Sequence, residues 1–434
     1  MSKVPFKEAF LFWLKLGFIS FGGPAGQIAI MHQYLVEKKK WISERVFLHA
    51  LNYCMLLPGP EAQQLAAYSG WLMHGTWGGI VAGLLFILPS VFILTALSII
   101  YVTYGNTPVV TGLFNGIKPA VVAIVFLAVW KIAERSLKRS IDIVLAIASL
   151  LALLVFKIPY IIVMLVAIAL GIFYVTAFKP EAASGANDEN GNGEEKSIIN
   201  RNTNTTGAVF KWPLFSLKAS LFIAIWCAPF GLFYFLTSDF KFWKDLSLFF
   251  TQAALFTFGG AYSVLTYVAQ YAVDKLHWLT RSEMIDGLAL GETTPGPLMM
   301  VLPFTGFMGS YHHFGGSLLA GCLGLFVSTY FTFFPSFVFI LLGAPLVERT
   351  QDNQNVKLAL SFVTAAVAGV IANLGIYTAK AVLFTSGISG ANLNWFALAW
   401  ILISVIALRK CNINMIVWIA ISALLGIVLR LFLV

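Results

Sequence analysis

The sequence is short of charge: Asp, Glu, Lys and Arg make up 11% of its 434 residues, against roughly 25% in an ordinary soluble domain. A soluble fold of this length would have too little polar surface to cover itself. Cysteine is scarce too. Cys54, Cys227, Cys322 and Cys411 are widely spaced, with no CxxC pair, so neither a disulfide framework nor a thiolate metal site is indicated. No GxxxxGK[ST] loop is present, and the Gly-rich FGGP follows an apolar helix instead of a strand, which argues against a built-in ATP-driven pump. Met1 to Phe6 lack the basic, apolar and small-residue regions of a secretory signal, so the first apolar segment is expected to stay in the mature protein. His32, His49 and His74 share no helix face at ligand spacing, and no metal or other cofactor is expected. No cluster of histidines and carboxylates suggests an intramembrane enzyme. The net charge of +9 sits in short loops between apolar runs, a topology signal and not a nucleic-acid surface.

What is abundant is apolar surface. Hydrophobic residues make up 59% of the chain, and mean hydropathy is +0.85. Runs such as Gly79 to Tyr101 and Ile158 to Phe178 exceed the roughly 18 residues that read as a membrane span. The fold class is therefore an all-α polytopic membrane protein, with the lipid bilayer as solvent. Two early stretches are too long and too interrupted to be simple spans. Phe6 to Val36 is broken by Gly22, Gly23 and Pro24, and Ser43 to Met73 by Pro58, Gly59 and Pro60; each reads as two half-helices around a backbone break. Four plainer spans follow, ending at Phe178. Lys179 to Lys211 is rich in Asn, Gly, Glu, Ser and Thr, a composition that cannot bury enough apolar area to order itself. The organisation read from this is an N-terminal repeat over 1–178, a flexible polar linker over 179–213, an extra span over 214–237 and a C-terminal repeat over 238–434.

The repeat is explicit. Phe21-Gly22-Gly23 matches Phe258-Gly259-Gly260, Trp41 matches Trp278, Pro58-Gly59-Pro60 matches Pro295-Gly296-Pro297, and Gly78-Gly79 matches Gly315-Gly316, each pair 237 positions apart. Pro89-Ser90 and Pro335-Ser336 continue it at a separation of 246, and four ungapped matches exceed chance. Whether the broken segments cross or fold back, an odd number of crossings separates the loop Glu37 to Arg45 from its equivalent Val273 to Arg281, so the halves are expected to be inverted. Charge agrees: Lys38, Lys39, Lys40 and Arg45 mark the first loop as cytoplasmic, whereas its equivalent has only Lys275 and Arg281, offset by Asp274.

Inverted repeats with broken helices recur in secondary transporters, whose half-helix N-termini point unpaired N–H groups at anions. Breaks of this kind must face protein or a water-filled cavity, since lipid would leave their backbone unsatisfied. Gly22, Gly23, Pro24 and Gln27 in the first break, with Gly259 and Gly260 in the second half, are candidate substrate-binding positions: glycine permits close approach, and helix N-termini supply donors. Pro58, Gly59, Pro60, Gln63 and Gln64, with Thr293, Thr294, Pro295, Gly296 and Pro297, form the other candidate set. The alternative for every glycine is helix packing. Glu61 and Glu292 are intramembrane carboxylates, read either as proton-coupling groups or as paired structural acids. Lys15 and Lys118 lie in apolar surroundings, where a cation either attracts substrate or snorkels to the interface, and snorkelling is the favoured reading.

FGGPAGQIAIMHQYLVEKKKWISERVF, LNYCMLLPGPEAQQLAAYSGW and GTWGGIVAGLLFILPS, together with FTFGGAYSVLTYVAQYAVDKLHWLT and GETTPGPLMMVLPFTGFMG, resemble the chromate ion transporter family in its long, two-domain form. The resemblance covers all but the linker and the extra span. It implies a multi-pass protein of the bacterial plasma (inner) membrane that exports chromate, coupled to the proton-motive force as an antiporter, and so confers chromate resistance. Protons and an oxyanion are the partners implied, and a homodimer is compatible. A sulfate or other tetrahedral oxyanion carrier, acting in uptake, is the nearest alternative; an anion channel is a further one. The halves diverge after PGP, where Glu61-Ala62-Gln63-Gln64 becomes Leu298-Met299-Met300-Val301, so an asymmetric site is expected.

Overall fold

A computed structural model describes residues 4–21, 23–178, 197–199, 212–237, 239–347, 354–384 and 392–432. Its elements are α1 (Phe6–Ile19), α2 (Gly23–His32), α3 (Glu44–Leu56), α4 (Glu61–Tyr104), α5 (Pro108–Ser136), α6 (Ser140–Leu154), α7 (Tyr160–Phe178) and α8 (Trp212–Leu236), then α9 (Phe240–Leu255), α10 (Ala261–Val268), α11 (Arg281–Thr293), α12 (Val301–His313), α13 (Leu318–Val347), α14 (Gln354–Leu383), α15 (Trp395–Arg409) and α16 (Met415–Phe432). Seven of these helices carry a segment long and apolar enough to cross a membrane. Large apolar side chains face outward along them, such as Phe92, Phe173, Phe235 and Leu319, as lipid contact requires. The protein is an all-α, polytopic membrane protein.

The interrupted segments fold back on themselves. Phe12 of α1 stacks on Tyr34, beyond α2, with ring centroids 4.0 Å apart, and Lys39 forms an ion pair with Glu8, so the chain returns to the end where it began. Tyr53 of α3 meets Tyr68 of α4 at 5.7 Å. In the second half a Cβ on Gly287 would lie 2.3 Å from the Phe304 ring, and one on Gly309 would lie 3.1 Å from Trp278, which sets α11 and α12 antiparallel. Half-helices of 13 residues reach about 20 Å at 1.5 Å per residue, short of a hydrocarbon core about 30 Å thick. Inside α4 the helix reverses at His74 and Gly75, the latter at φ +66°. Its short limb then packs on its long limb so closely that a Cβ on Gly70 would touch the Gly78 carbonyl at 2.4 Å.

The two halves share backbone detail at the separation of 237. Positive φ recurs at Gly23 and Gly260, Gly59 and Gly296, and Lys40 and His277. A π-helical turn follows both α2 and α10, and the Trp41 and Trp278 N–H groups donate to Leu35 and Ala272, each at 2.8 Å. Ser43 and Thr280 cap α3 and α11 in the same way, by accepting from Val46 and Glu283. Later helices correspond at larger separations: α5 begins at 108 and α14 at 354, α6 at 140 and α15 at 395. Packing is exchanged between halves through small residues, as glycine-rich membrane interfaces allow. Gly112 and Gly116 of α5 lie against Gly426 of α16, and Gly171 of α7 lies against Ala359 of α14. The long limb of α4 runs antiparallel to its counterpart α13, because Gly79 meets Leu341 while Gly83 meets Phe337.

Two expectations need adjustment. Most of the stretch expected to be a flexible linker, 179–196 and 200–211, lies outside the described residues, but its segment 197–199 is docked. Ile198 and Ile199 donate to the Lys40 and Trp41 carbonyls at 3.1 and 2.9 Å, and Ile199 accepts from Ser43 at 2.9 Å. Two apolar residues in a polar stretch give this segment something to bury, and Ile199 is buried. The extra helix also starts at Trp212, two residues inside the range given to the linker, with Pro213 fitting its first turn.

Candidate functional site

The breaks of one half are joined to those of the other. The Gly296 N–H donates to the Ser20 carbonyl at 2.7 Å, and the Gly59 N–H donates to the Thr257 carbonyl at 2.8 Å. Positions 20 and 257, like 59 and 296, are equivalent in the repeat, so one contact is made twice, in reciprocal directions. Each PGP thus closes against the C-terminal end of the opposite half's first helix, α1 or α9, whose last carbonyls lack helical partners. Further bonds hold each junction. The Gln27 Nε2 donates to the Gly296 carbonyl at 2.6 Å and to the Ser20 carbonyl at 3.2 Å, the Ser90 hydroxyl donates to Pro295, and the Gln64 Nε2 donates to Pro58 at 2.7 Å. Contact is tight enough that a Cβ on Gly59 would lie 2.5 Å from the Ser336 Oγ, and one on Gly296 would lie 1.9 Å from the Ser90 Oγ.

This geometry changes the reading of the PGP motifs. The N–H groups of Gly59 and Gly296, expected to face a ligand, are occupied in stitching the halves together, and the prolines on either side have no N–H to offer. Pro58, Pro60, Pro295 and Pro297 shape the break. Thr293 and Thr294 are turned inward as well: their hydroxyls donate to Leu290 of their own helix at 3.0 and 2.6 Å, because a hydroxyl near a helix C-terminus finds a carbonyl one turn back.

The glycine breaks are different. Gly23 and Gly260, at φ +70° and +99°, have nothing within 4 Å of the point a Cβ would occupy, so neither glycine is packed on that side. Each stands at the start of a helix, α2 or α10, where the positive end of the helix dipole favours an anion. Gly259 is the exception, packed on Val367 of α14 at 2.8 Å. Pro24 lies in the first turn of α2, where its missing N–H costs nothing. Gly22 falls outside the described residues.

The first half supplies amide side chains at these junctions. Gln27, Gln63 and Gln64 are buried, and the Oε1 atoms of all three, the Nε2 of Gln63 and the Ser336 Oγ have no hydrogen-bond partner. Polar atoms so buried usually find partners, and a polar ligand or water would satisfy them. Glu292 of α11 is buried and accepts from the Tyr262 hydroxyl at 2.6 Å. Glu61 opens the short limb of α4 and is partly exposed; in α3 the Met55 sulfur accepts from Arg135 at 3.1 Å.

Sequence reasoning passed over Asp286, the partner of Lys118. Lys118 does not snorkel: its ammonium lies 3.1 Å from Asp286 and donates to the Ser282 hydroxyl at 2.8 Å, while the Tyr101 hydroxyl donates to Asp286 at 2.9 Å. Opposite charges on α5 and α11, each in an apolar run, were the available signal. Lys15 is exposed on α1.

A multi-pass membrane protein whose halves meet at paired helix breaks belongs among membrane transporters. The chain is a member of the chromate transporter family, which matches residues 7–172 and 244–427. It is 29% identical to the chromate transport protein of Pseudomonas aeruginosa over 84% of this chain and 79% of that one. With the chromate transport protein of Cupriavidus metallidurans the identity is 27% over 86% and 82%, and with an uncharacterised transporter of Methanocaldococcus jannaschii it is 26% over 83% and 81%. No solved structure matches.

Proposed function

We propose that the protein is a secondary transporter that exports chromate from the cytoplasm, driven by the proton-motive force. The observation that carries this reading is the reciprocal pair of junctions, where helices beginning at unpacked glycines and buried amides lacking partners come together. A tetrahedral dianion suits such a site, which offers N–H donors and helix dipoles without a buried cation. Relatives named as chromate transport proteins favour chromate as the dianion.

Alternating access requires the halves to face opposite ways. Supporting this, equivalent helices α4 and α13 are antiparallel, and the broken segments fold back, leaving α4 to α8 between the two loops; read as five crossings, the 15-residue α6 the shortest of them, they put the loops on opposite faces. Lys40 is then cytoplasmic and Lys275 outside. Glu292, held by Tyr262, and Glu61 are the proton-carrying groups of this scheme, since a carboxyl that gains and loses a proton at the junctions can link the two gradients.

The test is chromate uptake into everted vesicles, with sulfate as competitor and the pH gradient imposed or collapsed. Saturable uptake that depends on the gradient and is weakly inhibited by sulfate is expected. Uptake only into right-side-out vesicles, or stronger transport of sulfate, would replace this reading with that of an oxyanion importer.

A further inference from the structure

An open cavity of about 1760 Å³ lies on the side of the molecule that carries Lys275. Its wall is strongly cationic: Lys118, Lys157, Lys275, Arg281, Lys380 and Arg430 line it against a single carboxylate, Asp274. Three of the six have local partners. Lys118 is paired with Asp286 and Arg281 with Asp274, while Lys275 lies 4.2 Å over the Tyr271 ring. Lys157, Lys380 and Arg430 are exposed and have no ion-pair partner among the described residues. They come from three places in the chain: the turn before α7, the end of α14 and the end of α16.

The internal repeat supplies a control. The positions equivalent to these six are Lys38, Glu44, Glu134, Val175, Thr364 and Asn412, one cation and two carboxylates in place of six cations. The backbone is duplicated, but the charge is not. On the topology proposed above the cavity opens outside, where the positive-inside bias calls for few cations, so membrane orientation does not account for them. A concave surface lined by one sign of charge concentrates counter-ions.

We propose that this cavity is an outer vestibule, on the release side of an exporter, that holds a tetrahedral oxyanion group on Lys157, Lys380 and Arg430, beside the Lys118–Asp286 ion pair. The inference rests on the oxyanion-carrier reading and adds a second, peripheral site to it. Two sources offer the same chemistry: the free oxyanion and the phosphate of an anionic lipid.

The experiment uses the full chain in phosphatidylcholine vesicles, with sulfate as a probe that does not oxidise protein. Wild type is compared with the combined variant Lys157→Gln, Lys380→Gln and Arg430→Gln, and with Lys38→Gln as control. The expected result is a KM about tenfold higher for transport from the Lys275 face, weaker salt dependence, and no change from the opposite face or in the control. Unchanged KM and salt dependence would overturn the proposal. A defect appearing only when phosphatidylglycerol is included would assign the site to lipid phosphate and overturn oxyanion capture. Sulfate binding to the detergent-solubilised protein is measured in parallel. If wild type transported nothing, the carrier reading would fail, yet an equal tenfold loss of binding in the combined variant would still support the vestibule, and no loss would overturn it.

Discussion

The two halves have nearly the same backbone and different chemistry. Positive-φ residues, π-turns, caps and junction hydrogen bonds recur at a fixed separation, yet the positions equivalent to Gln27, Gln63 and Gln64 hold Val264, Met300 and Val301, and Glu292 and Tyr262 stand where the first half has Met55 and Ala25. Backbone features that make the breaks possible are kept in both copies. The polar side chains at the breaks differ between them, three amides and Glu61 in one half and the Glu292–Tyr262 pair in the other. A duplicated scaffold thus carries asymmetric chemistry.

The largest effect should come from breaking the scaffold at either copy. Gly59→Ala and Gly296→Ala each drive a Cβ into the Ser336 or Ser90 hydroxyl at positive φ, for which strain of about 1–2 kcal/mol adds to overpacking of about 1–3 kcal/mol. Both variants should lose most folded protein, measured by fluorescence-detected size exclusion. Gly23→Ala carries the same positive-φ strain but meets no neighbouring atom, so it should lose less folded protein than either while losing transport, and an equal loss of folded protein in all three would erase the distinction between the two kinds of break.

Next in size is the exchange of one half's side chain for the other's. Gln63→Met installs the residue found at Met300 and removes a buried amide that lacks partners, a relief of about 1–3 kcal/mol. Thermal stability should rise and transport should fall. Transport at the wild-type rate would remove Gln63 from the site. Glu292→Gln keeps an acceptor for Tyr262, so the fold should survive, while the dependence of transport on external pH flattens. An unaltered pH profile would shift proton coupling to Glu61.

The smallest effect concerns helix starts. Asp239 caps α9 by accepting from the Phe242 N–H at 3.0 Å, whereas Pro5 before α1 makes no side-chain cap. The Phe242 N–H bond, followed by His313, holds the Asp239 carboxyl below its ordinary value of 3.8. A depressed carboxylate stabilises the fold above that ordinary value, and the contribution is lost as pH falls through the lowered one. Asp239→Ala should cost about 1 kcal/mol at neutral pH, and the difference in Tm from wild type should shrink as the medium is acidified below about pH 4. A difference that stays constant with pH would show that the carboxylate is not the cap.

The sequence by itself determined the membrane class, the repeat and the positions of the breaks, because hydropathy, glycine and proline act locally and leave a periodic mark. It also singled out Gln27, Gln63, Gln64 and Glu292 as candidates, since a polar residue in an apolar run is visible without coordinates. What only the tertiary structure decided is how the breaks are used. That the Gly59 and Gly296 N–H groups close on Thr257 and Ser20 follows from contacts between halves far apart in the chain, and no local pattern distinguishes an N–H facing a ligand from one facing a carbonyl. The same holds for Lys118, which reads as a snorkelling cation until α11 brings Asp286 to it, and for the cationic cavity, whose lining residues lie far apart in the chain and meet only when α14 and α16 pack on α5.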